Sequence, residues 1–521
     1  SEMKKVLLVG PSTPRAITDL RFVTSPLGVH YIATYLNAYG HKAEVYDCNI
    51  ALNNGKSFAD TVKGDDWDII GFSCLEACIE YDIARIHEAK RLKPKVLLVA
   101  GGTGASLNYQ TLFEKSPLDI VILAEGEVPM LDLCEDVYFQ EIDGIVFRKY
   151  AKVLNQGEWK DIRKDLDVEA MIADKYWERT ASLYESPDLN EVNTFRIFTQ
   201  NYCPMNCAFC TLTNQRKYSC GKVSPVLSLA PSHVINLIRK IVNAYTDVRR
   251  IFIVDDDTFL LPKRTVELCN AIISAKEKGD IPEYLGFICL TNINRLNEGN
   301  LPLIAKAGFK VLSIGVESTS QKVLDSYNKK QTVGQIFKTT ELIIKYGIKP
   351  YYTLIMFSPG GTVEDLITDL HGFRKLADMG AGLSLEQYLI PLHGTRFWEQ
   401  GIRQRVRECK IEGTDLSIHK GFAWLPEDPR TRIIFEIFEE TYPKFRKWYQ
   451  NTEKCKHFEK TKQAESILDC LEFVLRERFG YDISNPKFSN DELSNIRAEI
   501  ENCKNMDIDT VGNLIEKEDL H

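Results

Sequence analysis

Short apolar runs alternate with amphipathic stretches through the first 150 residues. The runs are rich in β-branched side chains and are bounded by glycine or small polar residues, which predicts strands at residues 6–9, 43–46, 69–72, 96–100 and 120–122. Strands that alternate with helices predict a doubly wound parallel sheet with helices on both faces. Such a sheet binds ligands beyond the carboxyl ends of its strands, where this chain places glycine and small polar residues.

A second alternation of the same kind begins after a polar stretch at residues 151–193, which we interpret as a linker. Six further strands are predicted at residues 195–199, 250–254, 286–290, 311–316, 350–356 and 383–390. Six successive β/α units indicate a partial (β/α)6 barrel with functional groups on the loops after its strands. The pattern therefore divides the α/β chain into a Rossmann-like domain (1–150), the linker (151–193), the barrel (194–395) and a helical C-terminal domain (396–521).

Composition and charge narrow the function class. The chain has 521 residues, of which 44% are hydrophobic and 26% charged, as in a globular protein of two or three domains. Its net charge of −8 argues against a nucleic-acid binder. The apolar runs are much shorter than the roughly 18 residues of a membrane span, and the N-terminal stretch lacks the pattern of a secretory signal. We therefore expect a cytoplasmic protein with no membrane span.

Three of the fourteen cysteines have the spacing of metal ligands. Cys203, Cys207 and Cys210 follow the first predicted barrel strand, where a barrel carries its active site. Three close thiolates suit zinc or an iron-sulfur cluster, and a zinc knuckle with Cys220 as fourth ligand is one alternative. Most other cysteines stand singly and are expected to be small buried hydrophobic residues in a reducing compartment.

The cysteine segment, with Phe209 before its last cysteine, resembles the cluster loop of the radical S-adenosylmethionine (SAM) superfamily. The resemblance implies one 4Fe-4S cluster held by the three cysteines, whose fourth iron binds SAM. The reduced cluster would cleave SAM to a 5'-deoxyadenosyl radical, and Phe209 would shield the cluster and stack near the adenine. A flavodoxin- or ferredoxin-type reductant is then an expected partner.

Further barrel segments match motifs of one subgroup of that superfamily. By this resemblance the loop after the second strand is expected to bind the methionine amino group and the fourth-strand motif the ribose or methionine moiety; the residues concerned are Asp255, Asp256, Asp257, Glu317 and Ser318. The alternative for the three aspartates is a solvated turn or helix cap. The glycine-containing segments 359–362 and 391–395 also match. Residues 291–294 stand where the subgroup often has an arginine, so the third-strand contact is open.

The first 150 residues resemble the cobalamin-binding domain that is often fused ahead of such barrels. The residues that the resemblance assigns to cofactor binding are Leu27, Gly28, Ser73, Leu75, Glu76, Gly101, Gly102, Glu125, Gly126 and Glu127. The loop after the first strand lacks the cobalt-ligating histidine of cobalamin mutases, which implies a base-off cobalamin without a histidine ligand. The lower face of the corrin would then meet residues 74–78. The resemblance does not decide which of these residues faces cobalt. The alternative is a domain that has lost its cofactor.

The combination predicts a cobalamin-dependent radical SAM methyltransferase that methylates an unactivated carbon of a peptide, protein or natural-product substrate. Tyr351, Tyr352, Glu386 and Tyr388 are candidates to line the substrate pocket, and the alternative is that they pack within the barrel. One alternative is a cobalamin-associated radical cyclase or rearrangement enzyme, which uses the same parts without transferring a methyl group. An alternative from another class is a non-catalytic cobalamin-binding sensor or carrier.

Overall fold

The computed structural model describes residues 2–12, 26–48, 51, 55–148, 150–152, 166, 193–215, 226–399, 405–453 and 460–502. Most of the predicted linker (151–193) lies outside these residues, and so does Cys220, the fourth ligand of the zinc alternative. None of the helices in these ranges is long and apolar enough to cross a membrane.

The first sheet has seven strands in the order β2-β1-β3-β4-β5-β6-β7. Its five parallel strands confirm the predicted ones: β1 (Lys5–Val9), β2 (Lys42–Tyr46), β3 (Ile69–Ser73), β4 (Leu97–Gly101) and β5 (Ile120–Ile122). The antiparallel strands β6 (Ile145–Phe147) and β7 (Tyr150–Lys152) extend it. The strand order reverses between β1 and β3, which places a topological switch point at their carboxyl ends.

Both faces of this sheet are covered, which explains why its strands are continuous apolar runs rather than alternating ones. Residues 6–9 of β1 are at most 2% exposed. The helices of this domain are α1 (Leu27–Ala38), α2 (Phe58–Lys63), α3 (Ile79–Leu92), α4 (Thr103–Leu107), α5 (Tyr109–Lys115) and α6 (Glu127–Cys134). Separate apolar cores form on the two faces, so the doubly wound prediction is confirmed.

The second sheet has six parallel strands in chain order: β8 (Asn193–Ile197), β9 (Val248–Ile253), β10 (Gly286–Thr291), β11 (Phe309–Glu317), β12 (Lys349–Phe357) and β13 (Gly382–Tyr388). The helices between them are α7 (Pro231–Ala244), α8 (Pro262–Glu277), α9 (Leu301–Ala307), α10 (Gln321–Ser326), α11 (Val333–Lys345) and α12 (Val363–Met379). These six parallel strands, joined in chain order by helical connections, confirm the predicted partial barrel. Their loops after the strands gather at one edge, which positions the candidate site.

The C-terminal part contains the predicted helices and also an antiparallel hairpin that the pattern did not predict. After the short α13 (Arg396–Glu399), β14 (Arg405–Lys410) pairs with β15 (Ser417–Ala423). The helices α14 (Pro429–Glu453), α15 (Lys460–Phe473) and α16 (Asn490–Asn502) follow and pack on the barrel. Ile411 and Ile418 of the hairpin join the apolar core of the first sheet, so the C-terminal part contacts both preceding domains.

Candidate active site

The three cysteines of the sequence motif lie on the loop that follows β8, and all three are half-buried. Two backbone hydrogen bonds shape this cysteine loop (residues 199–210). The Ala208 N–H donates to the Tyr327 carbonyl at 3.0 Å, and the Cys210 N–H donates to the Cys207 carbonyl at 3.1 Å. The loop is therefore fixed to the segment that follows α10, with its thiols at the carboxyl end of the barrel strands.

Burial keeps these thiols protonated when they carry no metal. It raises the pKa of Cys203 to about 12 and that of Cys210 to about 11, and it also raises the pKa of Cys207. Metal binding must therefore displace their protons. Among the described residues, no three His, Cys, Asp or Glu side chains are grouped to hold a single metal ion. A four-iron cluster takes its cysteine ligands on different irons, so three half-buried thiols fit such a cluster.

The loop after β9 carries three aspartates that the structure separates into different roles. Asp255 is buried and accepts hydrogen bonds from the backbone N–H of Thr199 at 2.5 Å and of Gln200 at 2.9 Å, and from the Thr199 hydroxyl. Asp255 therefore fastens the start of the cysteine loop, and its carboxylate is used within the protein. Asp256 is exposed, and its charge acts on Cys203 and Cys210.

Asp257 pairs with an arginine that the sequence reasoning missed. Its carboxylate lies 2.9 Å from Arg295 Nε and accepts a hydrogen bond from the Thr291 hydroxyl at 3.0 Å. Burial raises the pKa of Asp257, while Arg295 opposes that rise. A terminal nitrogen of Arg295 also lies 3.2 Å from Met205 Sδ in the cysteine loop. Arg295 lies one position beyond segment 291–294, where the resemblance left the third-strand contact open.

Glu317 ends β11 with a left-handed backbone, at a φ of 68°. Non-glycine residues adopt this conformation rarely, and such strain concentrates at functional sites. Its carboxylate is buried and lies 3.8 Å from the Lys329 ammonium group. Burial raises the pKa of Glu317, and Lys329 opposes the rise. Lys329 and Glu317 both act electrostatically on Cys207, so this charge pair adjoins the cysteine loop.

Ser318 is fully buried and serves the fold. Its hydroxyl donates to the Asp369 carboxylate at 2.8 Å, and the Thr319 backbone N–H donates to the same group at 2.7 Å. Burial raises the pKa of Asp369 to about 7. Asp369 on α12 thus fastens the loop after β11, as Asp255 fastens the cysteine loop. The Ser318 hydroxyl is thus used within the protein, and the contact of Glu317 with the ribose or methionine moiety stays a prediction.

Aromatic residues pack behind the cysteine loop. Phe209 is half-buried and meets Tyr327 edge-to-face, with ring centroids 5.2 Å apart. Tyr327 is fully buried, and its hydroxyl donates to Ser358 at 2.7 Å. Tyr352 is also fully buried, and its hydroxyl contacts Thr340 on α11, so it faces the helix layer and its predicted place in the pocket is wrong. Glu386 is exposed and its charge acts on Glu317.

The loop after β3 (residues 74–78, the β3 loop) lies at the switch point of the first sheet. Asp82 on α3 accepts the backbone N–H of Ser12 at 2.8 Å and that of Leu75 at 3.4 Å, so it ties the loops after β1 and β3 together. Burial raises the pKa of Asp82 to about 7. Cys74 and Cys78 are buried, whereas the Leu75 side chain is 44% exposed.

Residues from two later parts of the chain hold the β3 loop. The Glu76 carboxylate accepts the His393 backbone N–H at 3.0 Å and also contacts the His393 ring. Lys420 on β15 donates to the Ala77 carbonyl at 2.7 Å and pairs with Glu80 at 2.7 Å. The barrel loop after β13 and the C-terminal hairpin therefore meet at the carboxyl edge of the first sheet, where the cobalamin site is predicted.

The predicted glycines of the first domain differ in their surroundings. A Cβ on Gly102, whose φ is 90°, would lie 2.8 Å from the Cys74 carbonyl oxygen, and one on Gly126 would lie 2.7 Å from Ile32. A Cβ on Gly28 would meet no atom within 4 Å, and one on Gly101 would meet only ordinary contacts. Gly102 therefore allows β4 and the β3 loop to approach closely, and its contact with a cofactor stays a prediction.

The other predicted residues of this domain lie along the same edge. Leu27 is buried at the start of α1, and Ser73 ends β3 half-buried. Glu125 and Glu127 flank the start of α6, where Glu127 is buried. The structure thus brings Ser73, Leu75 and Glu76 together at the switch point and leaves the role of each toward a cofactor as a prediction.

Residues of the site that the sequence reasoning missed are mainly charged side chains in contact with predicted ones. Arg295, Lys329, Asp369 and Asp82 belong to this group, whereas His393 lies in the predicted segment 391–395 and only its contact with Glu76 was missed. Most of their contacts join residues that are distant in the sequence. The exceptions are the contact of Asp82 with Leu75 and that of Lys329 with Glu317. Arg295 stands among asparagines and Lys329 beside Lys330, so no local signal in the sequence marks either residue.

Two regions of the chain match known family models. Residues 197–371 match the family model of the radical SAM superfamily, and residues 16–133 match that of the B12 binding domain. An uncharacterized methyltransferase of Pyrococcus horikoshii is 25% identical over 78% of this chain and 84% of its own length. The cytidylyl-2-hydroxyethylphosphonate methyltransferase of Streptomyces wedmorensis is 24% identical over 77% of this chain and 82% of its own. The anaerobic magnesium-protoporphyrin IX monomethyl ester cyclase of Rubrivivax gelatinosus is 24% identical over 70% of this chain and 64% of its own.

Two solved structures share the fold. The radical SAM methyltransferase TsrM from Kitasatospora setae, solved with cobalamin and a [4Fe-4S] cluster, superposes with a TM-score of 0.62 at 16% identity, covering 80% of this chain and 82% of its own. The cobalamin-dependent SAM radical enzyme OxsB, solved with aqua-cobalamin, superposes with a TM-score of 0.68 at 14% identity, covering 96% and 79%.

Proposed function

The chain belongs to the cobalamin-dependent radical SAM enzymes, and we propose that it methylates an unactivated carbon of a peptide, protein or natural-product substrate. The observation that carries the proposal is the direct contact of Glu76 with His393. This contact joins the loop at the edge of the B12-binding sheet to a barrel loop that follows β13. A radical site and a methyl-donor site that adjoin in this way can act on one substrate.

The family uses one 4Fe-4S cluster, SAM and cobalamin. Together these groups supply reductive cleavage of SAM and donation of a methyl group. Cys203, Cys207 and Cys210 would hold the cluster. We assign Asp256, exposed beside the cysteines, to the methionine amino group of SAM and Glu317 to its ribose or methionine moiety. Asp255 and Ser318 would position these loops rather than contact SAM.

The charged pairs of the barrel suit a small ionic cosubstrate. The Asp257–Arg295 and Glu317–Lys329 pairs are buried or nearly so, and charges in such surroundings interact more strongly than in water. Lys329 also offsets the negative charge that three thiolates bring when they bind metal. The barrel edge can therefore orient a zwitterionic ligand beside the cysteines.

We propose the remaining partners from chemistry alone. A flavodoxin- or ferredoxin-type protein in the cytoplasm would reduce the cluster. The substrate would enter between the barrel edge, where Glu386 and Thr353 are exposed, and the first sheet. Holding a substrate between two reactive groups makes radical capture effectively unimolecular, which favours it over quenching by solvent.

The test is anaerobic purification with iron and cobalt analysis, followed by incubation with methyl-deuterated SAM and cell extract. Methyl transfer predicts equal amounts of 5'-deoxyadenosine and S-adenosylhomocysteine and a product that carries the deuterated methyl group. If 5'-deoxyadenosine forms without S-adenosylhomocysteine and without added mass, the methyltransferase proposal is wrong.

One specific observation favours a second candidate function. A relative 24% identical over 70% of this chain is named as a magnesium-protoporphyrin IX monomethyl ester cyclase. A cyclase of this kind would use the same loops without a methyl donor. The product mass separates the two functions, because cyclisation adds no labelled methyl group.

A further inference from the structure

We propose that Leu75 is the residue that faces the cobalt from below and that it keeps the lower axial position free of any ligand. The inference rests on the proposed cobalamin site and identifies the side chain within it. Leu75 combines an exposed side chain with a fully engaged backbone, and it stands at the switch point where a doubly wound sheet binds its ligand.

The neighbours of Leu75 in the β3 loop are unsuited to this position. Cys74 and Cys78 are buried, and burial raises the pKa of both thiols, so neither presents a thiolate at the surface. The Glu76 carboxylate is occupied by the backbone and ring of His393. Only Leu75 and Ala77 expose their side chains, and Leu75 is the one long enough to reach away from the loop.

The backbone of the β3 loop is held on every side. The Leu75 N–H donates to Asp82, and the Leu75 carbonyl accepts the Cys78 N–H at 3.1 Å. The Cys74 N–H donates to the Gly101 carbonyl at 2.8 Å, and its carbonyl accepts the Gly104 N–H at 3.0 Å. A loop that is fixed before its ligand arrives loses little entropy on binding.

Close packing against α4 holds the backbone of this loop in place. A Cβ on Gly104 would lie 2.7 Å from the backbone of Leu75 and Glu76, so α4 presses directly against the loop. Lys420 holds the opposite end through the Ala77 carbonyl. The backbone of the loop is therefore held in a conformation that leaves Leu75 exposed.

A leucine in this position has a definite chemical consequence. Its side chain has no lone pair, so it cannot ligate cobalt, and its hydrocarbon excludes water from the same place. The identity of this one residue would therefore set the axial coordination on the lower face. Replacing it with a histidine should convert that face into a ligated one, because imidazole is a common ligand of transition metals.

The experiment uses the full chain loaded with cobalamin, reduced to the cobalt(II) state and examined by electron paramagnetic resonance. The wild type should show no nitrogen superhyperfine splitting. Leu75→His should add that splitting, whereas Ala77→His, on the same exposed loop, should leave the spectrum unchanged. Leu75→Ala should admit water and shift the cobalt signal without nitrogen splitting, and it decides the result if the histidine variant fails to take up cobalamin.

The outcomes separate this inference from the proposed function. If the wild-type chain takes up no cobalamin, the proposed function falls and the inference falls with it. If cobalamin binds but neither Leu75 variant changes the cobalt signal, or if Ala77→His alone produces the nitrogen splitting, only the inference is overturned. Nitrogen splitting in the wild type would overturn it as well.

Discussion

The two sheets of this chain hold their functional loops by the same kind of contact, but the loops of each sheet present a different surface. In each, a buried carboxylate accepts backbone N–H groups of a loop at the carboxyl edge: Asp255 and Asp369 in the barrel, Asp82 in the first sheet. Charge-assisted hydrogen bonds of this kind are among the stronger ones in proteins. The loops of both sheets are therefore held before any ligand binds.

The difference lies in what the fastened loops expose. The barrel edge offers thiols and charged side chains, among them Asp256 and the Glu317–Lys329 pair. The edge of the first sheet offers Leu75 and the backbone of Gly28 and Gly101, where an added Cβ would meet no close contact. Charged groups suit a small zwitterion, whereas apolar and backbone surface suits a large ring that needs contact area. The same kind of anchoring thus supports the recognition of two kinds of ligand.

The largest expected effect is the loss of the cluster. Changing Cys203, Cys207 and Cys210 together to alanine should remove cluster iron and reduce 5'-deoxyadenosine formation to background, because no ligands remain on the cysteine loop. Iron analysis and chromatography of the SAM products measure both. Cobalamin uptake should be unchanged if the two edges are independent, and Cys409→Ala on the hairpin should keep its full iron content. Retention of iron by the triple variant contradicts the site.

A large loss of stability is expected when Arg295 is replaced by methionine. This change leaves the buried Asp257 carboxylate without its ion pair, and breaking a buried pair costs about 3–5 kcal/mol. Denaturant titration of the cofactor-free chain measures the loss. The Asp257→Asn, Arg295→Met double variant should recover most of it, because no unpaired charge remains. If the double variant is as unstable as the single one, the pair does not carry the effect.

The raised pKa of Asp82 predicts a pH-dependent contribution to stability. Its folded pKa of about 7 lies above the unfolded value of about 4, so ionisation penalises the folded state as the pH rises through that window. Asp82→Asn removes this penalty. Relative to the wild type, the unfolding free energy of Asp82→Asn should therefore rise by about 3 kcal/mol between about pH 5 and about pH 8.

Two further variants control the pH experiment. Asp369→Asn should shift in the same direction, because burial raises the pKa of Asp369 to about 7 as well. Asp65→Asn should show no change over this range, since Lys5 and Lys42 lower the pKa of Asp65 and it is ionised throughout. A flat profile for Asp82→Asn would mean that its carboxylate is not desolvated as described.

The smallest expected effect separates backbone strain from close packing. Gly102 and Gly40 have nearly equal φ values of 90° and 86°, but only Gly102 would bring a Cβ against the Cys74 carbonyl. Gly102→Ala should therefore cost about 1–3 kcal/mol more than Gly40→Ala. It alone should weaken cobalamin binding, measured by absorbance titration, because it displaces the β3 loop. Equal behaviour of the two variants would contradict the packing argument.

The strands and the cysteine site were predictable because their signals are local. Strands buried on both faces are continuous apolar runs, and three thiols within eight residues need no tertiary information. The hairpin was missed because no residue of β14 is buried and four of its six residues are charged, so no buried face gives a period. Ser318 and Asp255 were assigned to a ligand because a motif does not reveal that Asp369 and the backbone of residues 199–200 already use their polar groups.

The Arg295–Asp257 pair shows why the rest could not be predicted. The two residues are 38 positions apart on different loops, and only the packing of neighbouring barrel strands brings them together. The same holds for Glu76 and His393, which the sequence places in separate domains. Contacts of this kind depend on the assembled chain, whereas patterns describe each segment by itself.

The hold on the β3 loop by His393 and Lys420 has a consequence for biosynthesis. Glu76 and His393 are 317 residues apart in the chain, and Ala77 and Lys420 are 343 apart. Domains fold during synthesis from the N-terminus, so the first sheet can form on the ribosome long before His393 and Lys420 are synthesised. We expect the β3 loop to lack these contacts until the hairpin has emerged from the ribosome. The cofactor would then be loaded into a nearly completed polypeptide, and a truncated N-terminal half would retain the sheet while binding cobalamin poorly.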